Sequence, residues 1–302
     1  MKVLISGLIN IETTLKVDKF PIEYQPVLYP FYGIKSSVSG VGYNISKAMK
    51  ILGDKISFMS IIGNDSEGEN IIKEFKKEGV DTSNILKIID ETPQSIIIYD
   101  NSGRRQINVD LKSIQEIEYP EDKITEEIKT CDLAILANIN FSRKYLKIAK
   151  GFGKKIATDV HVLSNLDDEY NKDFLEYSDI LFLSNEDIIN REEEFMKEII
   201  SKYEKDIIVI GMGDKGALLY TKGNSNFDRV EAKQIRPIIN TIGAGDSLFS
   251  SFLHFYLKGE TSLTALKKAA IFAGYKIGEK GAAEGFLSEN KVNNLYNEVW
   301  GY

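Results

Sequence analysis

The sequence of 302 residues has a single cysteine, Cys131, and only two histidines, His161 and His254. One cysteine excludes an intramolecular disulfide bond and is typical of proteins in a reducing compartment such as the cytoplasm. Because Cys131 stands beside the apolar residues 133–136, we expect a buried structural thiol rather than a nucleophile. Two isolated histidines are too few for a histidine-rich metal site, and we expect His254 to be a packing or surface residue.

The sequence also lacks a basic excess and any long, uncharged apolar run. Its 38 lysine and arginine residues stand against 45 aspartate and glutamate residues, which gives a net charge of -7. This balance argues against binding along a nucleic-acid backbone, which normally requires a basic face. No apolar segment is long enough for a signal peptide or a membrane span. We therefore expect a cytoplasmic protein with small-molecule ligands and with neither nucleic-acid nor membrane partners.

Short apolar runs rich in β-branched residues alternate with longer, charged, amphipathic stretches. The apolar runs predict strands buried on both faces, at Lys2–Ser6, Ile56–Ile62, Leu133–Ala137, Lys155–Asp159, Ile180–Leu183 and Ile207–Gly211. The amphipathic stretches predict helices, at Tyr43–Leu52, Glu67–Glu78, Arg143–Phe152, Glu192–Lys202 and Ser262–Ala273. This alternation predicts a single α/β domain over residues 1–302, with a mostly parallel sheet and ligands at the carboxyl ends of its strands.

Two segments interrupt the alternation. Residues 12–36 contain three prolines and several aromatic residues without a helical period, and residues 95–112 read as a β-hairpin with its turn at residues 100–103. The hairpin is either part of a separate small β element or an ordinary surface hairpin. Two helix caps are also predicted: Asp65 or Ser66 at the start of the second helix, and Ser262 at the start of the last predicted one.

Residues 240–246, Asn-Thr-Ile-Gly-Ala-Gly-Asp, are the most informative stretch because an apolar helix follows them directly. Glycines allow close approach of a ligand to the backbone, and the first amides of a helix have no partner within it. These amides and the helix dipole favour an oxyanion or phosphate. A carboxylate at this position, Asp246, suits a general base that deprotonates an attacking hydroxyl. The alternative is that Asp246 only favours the start of a helix.

This motif resembles the carboxy-terminal motif of the ribokinase, or PfkB, family of carbohydrate kinases, which reads Asp-Thr-x-Gly-Ala-Gly-Asp. Only its first residue differs, with Asn240 in place of aspartate. The resemblance implies a ribokinase-like three-layer α/β/α fold in which residues 12–36 and 95–112 form a small β lid. It also implies an ATP-dependent kinase that phosphorylates a hydroxyl of a sugar or sugar-like molecule. Asp246 would be the base, and the amides of Gly243, Ala244 and Gly245 would stabilise the transferring phosphoryl group.

The amino-terminal part resembles the acceptor-binding part of the same family. Residues 39–44, Ser-Gly-Val-Gly-Tyr-Asn, are similar to the family's Gly-Gly-x-x-x-Asn motif, and Glu12 stands where the family usually has aspartate. The extra methylene of Glu12 would move its carboxylate by about 1.5 Å, one carbon–carbon bond. The resemblance implies that the following residues bind the acceptor: Asn10, Glu12, Gly40, Gly42, Asn44, Tyr99 and Arg104.

The resemblance further implies a nucleotide site with Mg²⁺, organised through its water shell by Asn185 and Glu186. The family has Asn-x-x-Glu here, and Ile188 stands at the position of that glutamate. Either a neighbouring carboxylate compensates for the missing glutamate, or the metal is held less firmly. The implied nucleotide-binding residues are Asn185, Gly211, Gly213, Lys215, Gly216, Thr241 and Gly281. A monovalent cation is a further cofactor of this family, and its use here is open because Asn240 replaces an aspartate that helps to hold it.

Residues 211–216 match Gly-x-Gly-x-x-Gly, which in dinucleotide-binding proteins opens a helix. Here a short strand-like stretch follows, so we predict strand, turn and strand. The Walker A sequence and the protein-kinase motifs are absent.

Two further readings stay open. In a nucleoside kinase of the same fold, Phe31, Tyr32 and Tyr99 would stack on a base, or these rings would pack within the lid or against a partner subunit. In a non-catalytic sugar or nucleotide sensor, the departures at Glu12, Ile188 and Asn240 would mark lost activity. Exposed lid edges often pair between subunits in this family, so the resemblance also implies a homodimer formed through the lid.

Overall fold

The computed structural model describes residues 1–301. These residues form thirteen β-strands: β1 (Lys2–Ser6), β2 (Asn10–Lys16), β3 (Ile34–Ser39), β4 (Lys55–Gly63), β5 (Ile85–Ile89), β6 (Gln94–Tyr99), β7 (Arg105–Asp110), β8 (Leu133–Leu136), β9 (Lys155–Val162), β10 (Ile180–Ser184), β11 (Ile207–Gly211), β12 (Ala217–Thr221) and β13 (Asp228–Val230). They also form nine α-helices: α1 (Val41–Leu52), α2 (Ser66–Lys77), α3 (Glu121–Thr130), α4 (Asn140–Gly151), α5 (Lys172–Tyr177), α6 (Glu192–Lys202), α7 (Ala244–Leu257), α8 (Ser262–Lys276) and α9 (Glu289–Trp300).

Nine of these strands form the central sheet, in the order β13-β12-β11-β10-β9-β8-β1-β4-β5. From β11 to β5 the neighbouring strands pair in parallel, and β12 pairs antiparallel with both β11 and β13. The predicted mostly parallel α/β sheet is therefore confirmed. Because the chain leaves β1 towards β4 and returns on its other side at β8, the carboxyl end of β1 opens into a crevice of the kind that binds ligands.

Alternate residues of the central strands bury their side chains in two different hydrophobic layers. Val3 and Ile5 of β1 lie in the layer formed with α1, α7 and α8, and Leu4 lies in the layer formed with α3, α4 and α6. Side chains alternate between the faces of a strand, so a continuous apolar run is stable only where helices cover both faces. This is why the sequence shows uninterrupted runs there, and it produces three layers of helix, sheet and helix.

The remaining four strands form a separate small sheet in the order β3-β2-β6-β7. β2 pairs antiparallel with β3 and parallel with β6, and β6 and β7 form the predicted hairpin. Residues that are paired across a ladder lie on the same face, so the pair of Tyr99 and Arg105 faces the same way as the pair of Glu12 and Ser95. That shared face determines which side chains of the small sheet reach the main body.

Several local predictions can be compared with the structure. Asp65 caps α2 as predicted, since its carboxylate accepts a hydrogen bond of 2.8 Å from the Gly68 amide. The predicted cap of α8 was wrong by one residue: Thr261 is the cap and accepts from the Thr264 amide, while Ser262 is the first helical residue. Cys131 is buried, and so is His254, which bonds to Asp54 at 2.7 Å. Among residues 1–301, no helix is both long and apolar enough to cross a membrane.

Candidate active site

The site is built around the amino-terminal end of α7. Gly243 precedes this helix in a left-handed conformation with φ of 74°, and a Cβ atom there would lie 2.5 Å from the Ala282 carbonyl oxygen. Only glycine therefore fits the turn. Among the described residues, the amides of Gly243, Gly245 and Asp246 have no hydrogen-bond acceptor, so they are free to bind an anion.

The structure corrects the expected set of anion-binding amides at one position. The Ala244 amide donates a hydrogen bond of 3.1 Å to the Thr241 carbonyl and closes the turn before α7. Its proton is therefore already used, whereas the amides on either side of it remain unpaired. Sequence inspection could not separate these three residues, because the difference depends on the backbone dihedral angles of the turn.

Asp246 lies in the first turn of α7 and is partly buried. Its Oδ2 atom accepts a hydrogen bond of 2.7 Å from the Nδ2 atom of Asn44 on α1. Burial raises the pKa of the Asp246 carboxyl above its ordinary value of 3.8, and the bond from Asn44 opposes this effect. The result is a more basic carboxylate with a fixed orientation, as general-base catalysis requires.

Two glycine contacts place Asn44. A Cβ atom on Gly7 would lie 2.8 Å from the Cα atom of Gly42, so the loop after β1 and the first turn of α1 are in direct backbone contact. Gly40 has φ of 103°, and a Cβ atom there would lie 2.6 Å from the Leu8 carbonyl oxygen. Gly40 and Gly42 are therefore needed for close packing, and this packing brings Asn44 to Asp246.

Unpaired acceptors line the small-sheet side of the site. The Oδ1 atom of Asn10 and the Oε1 atom of Glu12 are buried and have no hydrogen-bond partner within residues 1–301. Their other polar atoms are held: Asn10 Nδ2 donates to Ser95 Oγ at 2.9 Å, and Ser39 Oγ lies 3.0 Å from Glu12 Oε2. Burial raises the pKa of Glu12. Buried polar atoms without partners are costly, so these two oxygens are well suited to a ligand rich in hydroxyl groups.

Ser39 links the two halves of this site. Its hydroxyl lies 3.3 Å from Asn44 Oδ1 as well as 3.0 Å from Glu12 Oε2, and its single proton serves one of them at a time. The sequence shows Ser39 only as a departure from a glycine-rich motif. In the structure it connects the carboxylate of β2 to the amide that holds Asp246.

The small sheet reaches the main body through Tyr99 and Arg105. Tyr99 packs against the cluster of Ile97, Ile242 and Ala282. The guanidinium of Arg105 donates to Thr241 Oγ1 at 3.1 Å and to Glu186 Oε1 at 3.2 Å.

The structure does not bring the predicted residue Arg104 into this site. Its guanidinium binds Asp100 at 3.0 Å within the hairpin turn. The reason is the alternation along the strand, since Arg105 is paired with Tyr99 whereas Arg104 still belongs to the turn. The sequence therefore predicted Arg104, whereas the structure brings its neighbour Arg105 to the main body.

Asn185, which follows β10, has a carboxylate partner that the sequence did not reveal. Its Nδ2 atom donates to Glu192 Oε1 at 2.7 Å, whereas Ile188 is buried in the core. Burial alone would raise the pKa of Glu192, but hydrogen bonds from Asn185 and from backbone amides outweigh burial and hold that pKa below its usual range. Glu192 therefore remains ionised beside Asn185, whereas the position of Ile188 is apolar.

The turn between β11 and β12 lies next to Asn185, whose amide donates to the Gly211 carbonyl at 2.9 Å. β11 and β12 are antiparallel, which confirms the predicted strand, turn and strand. Gly213 and Gly216 have φ of 59° and 90°, so the turn needs glycine at both positions. Lys215 is exposed and contributes to the lowered pKa of Glu192.

Gly281 lies in the loop after α8. Its amide donates a hydrogen bond of 3.0 Å to Glu284. This loop packs against the turn before α7, where Ala282 contacts Gly243. The predicted nucleotide-binding residues thus lie in two groups, at Asn185 with the β11–β12 turn and at Thr241 with Gly281.

The sequence and the fold of this chain are similar to those of known proteins. A model of the pfkB family of carbohydrate kinases matches residues 1–289. The ribokinase of Dictyostelium discoideum is 23% identical over 320 aligned residues, which cover 96% of this chain and 99% of that protein. The structure is similar to a microbiome-derived acarbose kinase (TM-score 0.87, 21% identity, 98% of each chain). It is also similar to the Burkholderia thailandensis nucleoside kinase bound to inosine (TM-score 0.85, 16% identity, 99% of this chain and 98% of the other).

Proposed function

We propose a phosphoryl-transfer site around Asp246, since this chain belongs to the pfkB family of carbohydrate kinases. Its activity is the ATP-dependent phosphorylation of a sugar-like acceptor. One observation carries the assignment of the site: a partly buried carboxylate, held by Asn44, stands at a helix start whose amides at Gly243 and Gly245 are unpaired. A base and an anion-binding site are thereby placed together.

In the proposed reaction, Asp246 takes the proton of an acceptor hydroxyl as the oxygen of that hydroxyl attacks the γ-phosphorus of ATP. A new phosphorus–oxygen bond forms, the bond to the β-phosphate oxygen breaks, and ADP leaves with the electron pair. The amides of Gly243, Gly245 and Asp246 stabilise the negative charge on the transferring group. Asn44 orients the carboxylate through its bond of 2.7 Å.

Asn10 and Glu12 bind the acceptor and select it by its hydroxyl groups. Their unpaired buried oxygens require hydrogen-bond donors, and neighbouring hydroxyls of a sugar ring supply donors at adjacent carbons. A site with such orphaned acceptors also rejects analogues that lack the matching hydroxyl. This argument favours a polyhydroxylated acceptor as the substrate class.

Mg²⁺ fits the pair of Asn185 and Glu192 beside the proposed nucleotide-binding residues, because it prefers oxygen ligands and retains several of its waters. Asn185 and Glu192 would hold these waters, and Glu186 lies nearby in its pair with Arg105. When bound, the ion neutralises charge on the nucleotide phosphates. Glu192 keeps the Asn185 side chain in place, and its lowered pKa keeps it charged at neutral pH.

The Glu192→Gln variant is expected to need about 10- to 100-fold more Mg²⁺ for half-maximal activity, since removal of such outer partners weakens metal sites by that amount. The matched control is Glu193→Gln at the next residue, whose side chain is exposed and pairs with Arg229. Titration of the initial rate with MgCl₂ measures both variants. Equal Mg²⁺ requirements in Glu192→Gln and the parent would remove Glu192 from the metal site.

We further propose that the small sheet is a lid over the acceptor. Arg105 fastens it to the main body at Thr241 and Glu186. A closed lid excludes water, which would otherwise compete with the acceptor for ATP. The lid would comprise residues 12–36 and 95–112. The small sheet extends slightly beyond these bounds, since β2 begins at Asn10, β3 ends at Ser39 and β6 begins at Gln94.

The Arg105→Ala variant is expected to raise KM for the acceptor by about two- to tenfold, as loss of one or two partly exposed polar contacts costs roughly 1 kcal/mol. It should also raise ATP hydrolysis without acceptor, because the lid opens more often. Arg104→Ala is the neighbouring control, since Arg104 bonds within the hairpin turn. Steady-state kinetics with and without acceptor decides; an unchanged KM in Arg105→Ala contradicts the fastening role.

A nucleoside kinase is the second candidate, and one observation favours it. Phe31 and Tyr32 are almost fully exposed, at 83% and 101%, and within residues 1–301 the ring of Phe31 stacks on that of Tyr29 alone, with ring centres 6.2 Å apart. These rings are therefore available to a base, whereas Tyr99 is already packed against Ile242.

ADP release measured over a panel of pentoses, hexoses, deoxy sugars and nucleosides distinguishes the three readings. Turnover with free sugars supports the sugar kinase, and turnover confined to nucleosides supports the second candidate. Binding of ATP without turnover of any hydroxylated acceptor contradicts the proposed function and supports a sensor.

A further inference from the structure

Lys276 is a completely buried lysine next to the proposed active site. It is the last residue of α8, with an exposed fraction of 0%. Its ammonium donates a hydrogen bond to the carbonyl oxygen of Ile242, in the turn that leads to Gly243. Asp246 and Glu12 are the two strongest charged influences on it. A buried charge requires such partners. Those of Lys276 are the Ile242 carbonyl in the turn before α7 and the two nearby carboxylates.

An alternative explanation is the general preference for basic residues in the last turn of a helix, where they interact with the helix dipole. That preference acts mainly on exposed side chains whose charged groups lie in water. Lys276 is instead directed inward at a carbonyl of another segment, 34 residues away. Its position is therefore explained by the turn it contacts and not by its own helix.

The resemblance described above brings with it a monovalent cation at this loop, and the residues present do not fit one. The carboxylate that would bind it is replaced by Asn240, whose Oδ1 accepts from the Ile242 amide at 3.0 Å. Asn240 Nδ2 donates to the Lys280 carbonyl at 2.8 Å, and the Ile277 carbonyl accepts from two backbone amides. The Ile242 carbonyl is taken by Lys276. Four oxygens of this region, those of the Asn240 side chain and of the Ile242, Ile277 and Lys280 carbonyls, are thus already occupied by donors of the chain.

We propose that the Lys276 ammonium is a built-in cation that replaces a monovalent ion, so that this kinase does not require potassium. The inference rests on the proposed function. Lys276 is a positioning residue: it holds the Ile242 carbonyl, and thereby the turn that presents the Gly243 amide. It also balances the charges of Asp246 and Glu12 in a region where water is largely excluded and charges therefore act strongly.

The acid–base behaviour of Lys276 supports the same inference. The carboxylates that act on it are Asp246 of α7, Glu12 of β2, and Glu279 and Glu284 of the loop after α8. Burial lowers the pKa of Lys276 to about 8, and these carboxylates oppose the effect. We therefore expect kcat to decrease as the pH rises through about 8.

The stability of the fold should respond to pH in the opposite direction. In the unfolded chain the pKa of Lys276 is near its ordinary value of 10.5, so the unfolded state binds more protons than the folded state between pH 8 and 10.5. The contribution of Lys276 to the free energy of unfolding therefore increases with pH in this range. A loss of activity at high pH without a loss of stability would thus show that activity depends on the positive charge of Lys276.

The first test compares the parent protein in sodium, potassium and choline chloride at constant ionic strength. We expect the same kcat and the same melting temperature in all three salts. Stimulation of turnover by potassium over sodium, or a rise in melting temperature specific to potassium, overturns the proposal. This comparison needs no variant, so it remains decisive if the variants below fail to fold.

The second test replaces the ammonium by an apolar group of similar length in Lys276→Met. We expect kcat to fall on the order of tenfold or more, as for the loss of one group that supports transition-state charge, with partial recovery in ammonium or potassium chloride. The matched control is Lys205→Met, since Lys205 is also buried, donates to the Ser178 carbonyl at 2.6 Å and has a pKa lowered to about 8 by burial. Lys205 lies just before β11, at the amino end of that strand, whereas the site lies at the carboxyl ends of the strands. Lys205→Met should therefore keep the parent kcat and show no response to the ion.

The melting temperature separates failure of this inference from failure of the proposed function. A cation that binds the folded Lys276→Met protein raises its melting temperature, whether or not the correct acceptor is known. If no acceptor is phosphorylated in any salt but potassium stabilises only Lys276→Met, the kinase proposal fails and the built-in cation stands. If Lys276→Met retains the parent kcat, or neither kcat nor melting temperature responds to potassium or ammonium, the built-in cation is wrong.

Discussion

Replacement of Asp246 by asparagine is expected to lower kcat about 10²- to 10⁴-fold, the contribution of a well-placed general base. The amide oxygen of the new side chain still accepts the bond from Asn44, which is 2.7 Å in the parent, so the local structure is retained. The amide cannot take the hydroxyl proton. The dissociation constant of ATP, measured by calorimetry, should change little, and single-turnover kinetics should show that the chemical step is slowed.

The pH dependence gives this prediction a second readout. Because burial raises the pKa of Asp246, the parent should lose activity as the pH falls through a value above 3.8, where the carboxylate becomes protonated. The asparagine variant should lack this acidic limb. Asp54→Asn is the matched control, since Asp54 is also buried but bonds to His254 away from the cleft, and it should change stability rather than kcat. Phosphate transfer by Asp246→Asn at the parent rate would contradict the mechanism.

Gly243→Ala is expected to lower both activity and stability. The added Cβ atom would lie 2.5 Å from the Ala282 carbonyl oxygen, so the backbone must move. The left-handed conformation adds about 1–2 kcal/mol of strain for a residue with a side chain. A displacement of about 1 Å in groups that contact the reacting atoms can cost about 100-fold in rate. Thermal denaturation and kcat measured on the same preparation test both effects.

Gly53→Ala separates strain from displacement. Gly53 also has a positive φ, 104°, but a Cβ atom there meets nothing within 4 Å, and the residue ends α1 at the end opposite to Asn44. This control should lose about 1–2 kcal/mol of stability through strain while it keeps the parent kcat. If Gly243→Ala resembles Gly53→Ala in both measurements, the turn before α7 does not position the anion-binding amides.

The central sheet could be predicted from the sequence because its strands are buried on both faces. β1 and β11 begin and end at the predicted residues, since uninterrupted apolar runs have few alternatives in a soluble protein. The strands β2 and β3 were not predicted individually, since the sequence indicated only one irregular segment at residues 12–36. The side chains of β2 alternate between buried and partly buried positions, and those of β3 begin by alternating between exposed and partly buried ones. Three prolines between the two strands obscure the pattern.

The residues of the candidate site that were missed depend on geometry that a local pattern does not contain. Glu192 approaches Asn185 only because the chain turns after β10, so it lies seven positions away instead of three. Lys276 looks like the ordinary basic end of an amphipathic helix until its burial is known. Arg105 could have been chosen over Arg104 from strand alternation, had the register of β6 and β7 been known.

The proposed base and the proposed acceptor-binding side chains belong to different parts of the fold. Asp246 is carried by α7 of the main body, whereas Asn10 and Glu12 are carried by β2 of the small sheet. Substitutions in β2 can therefore change which hydroxyl pattern is preferred without moving the base. Evolution, or a directed-evolution library confined to β2 and β3, has a route to new acceptors that leaves the phosphoryl-transfer chemistry in place.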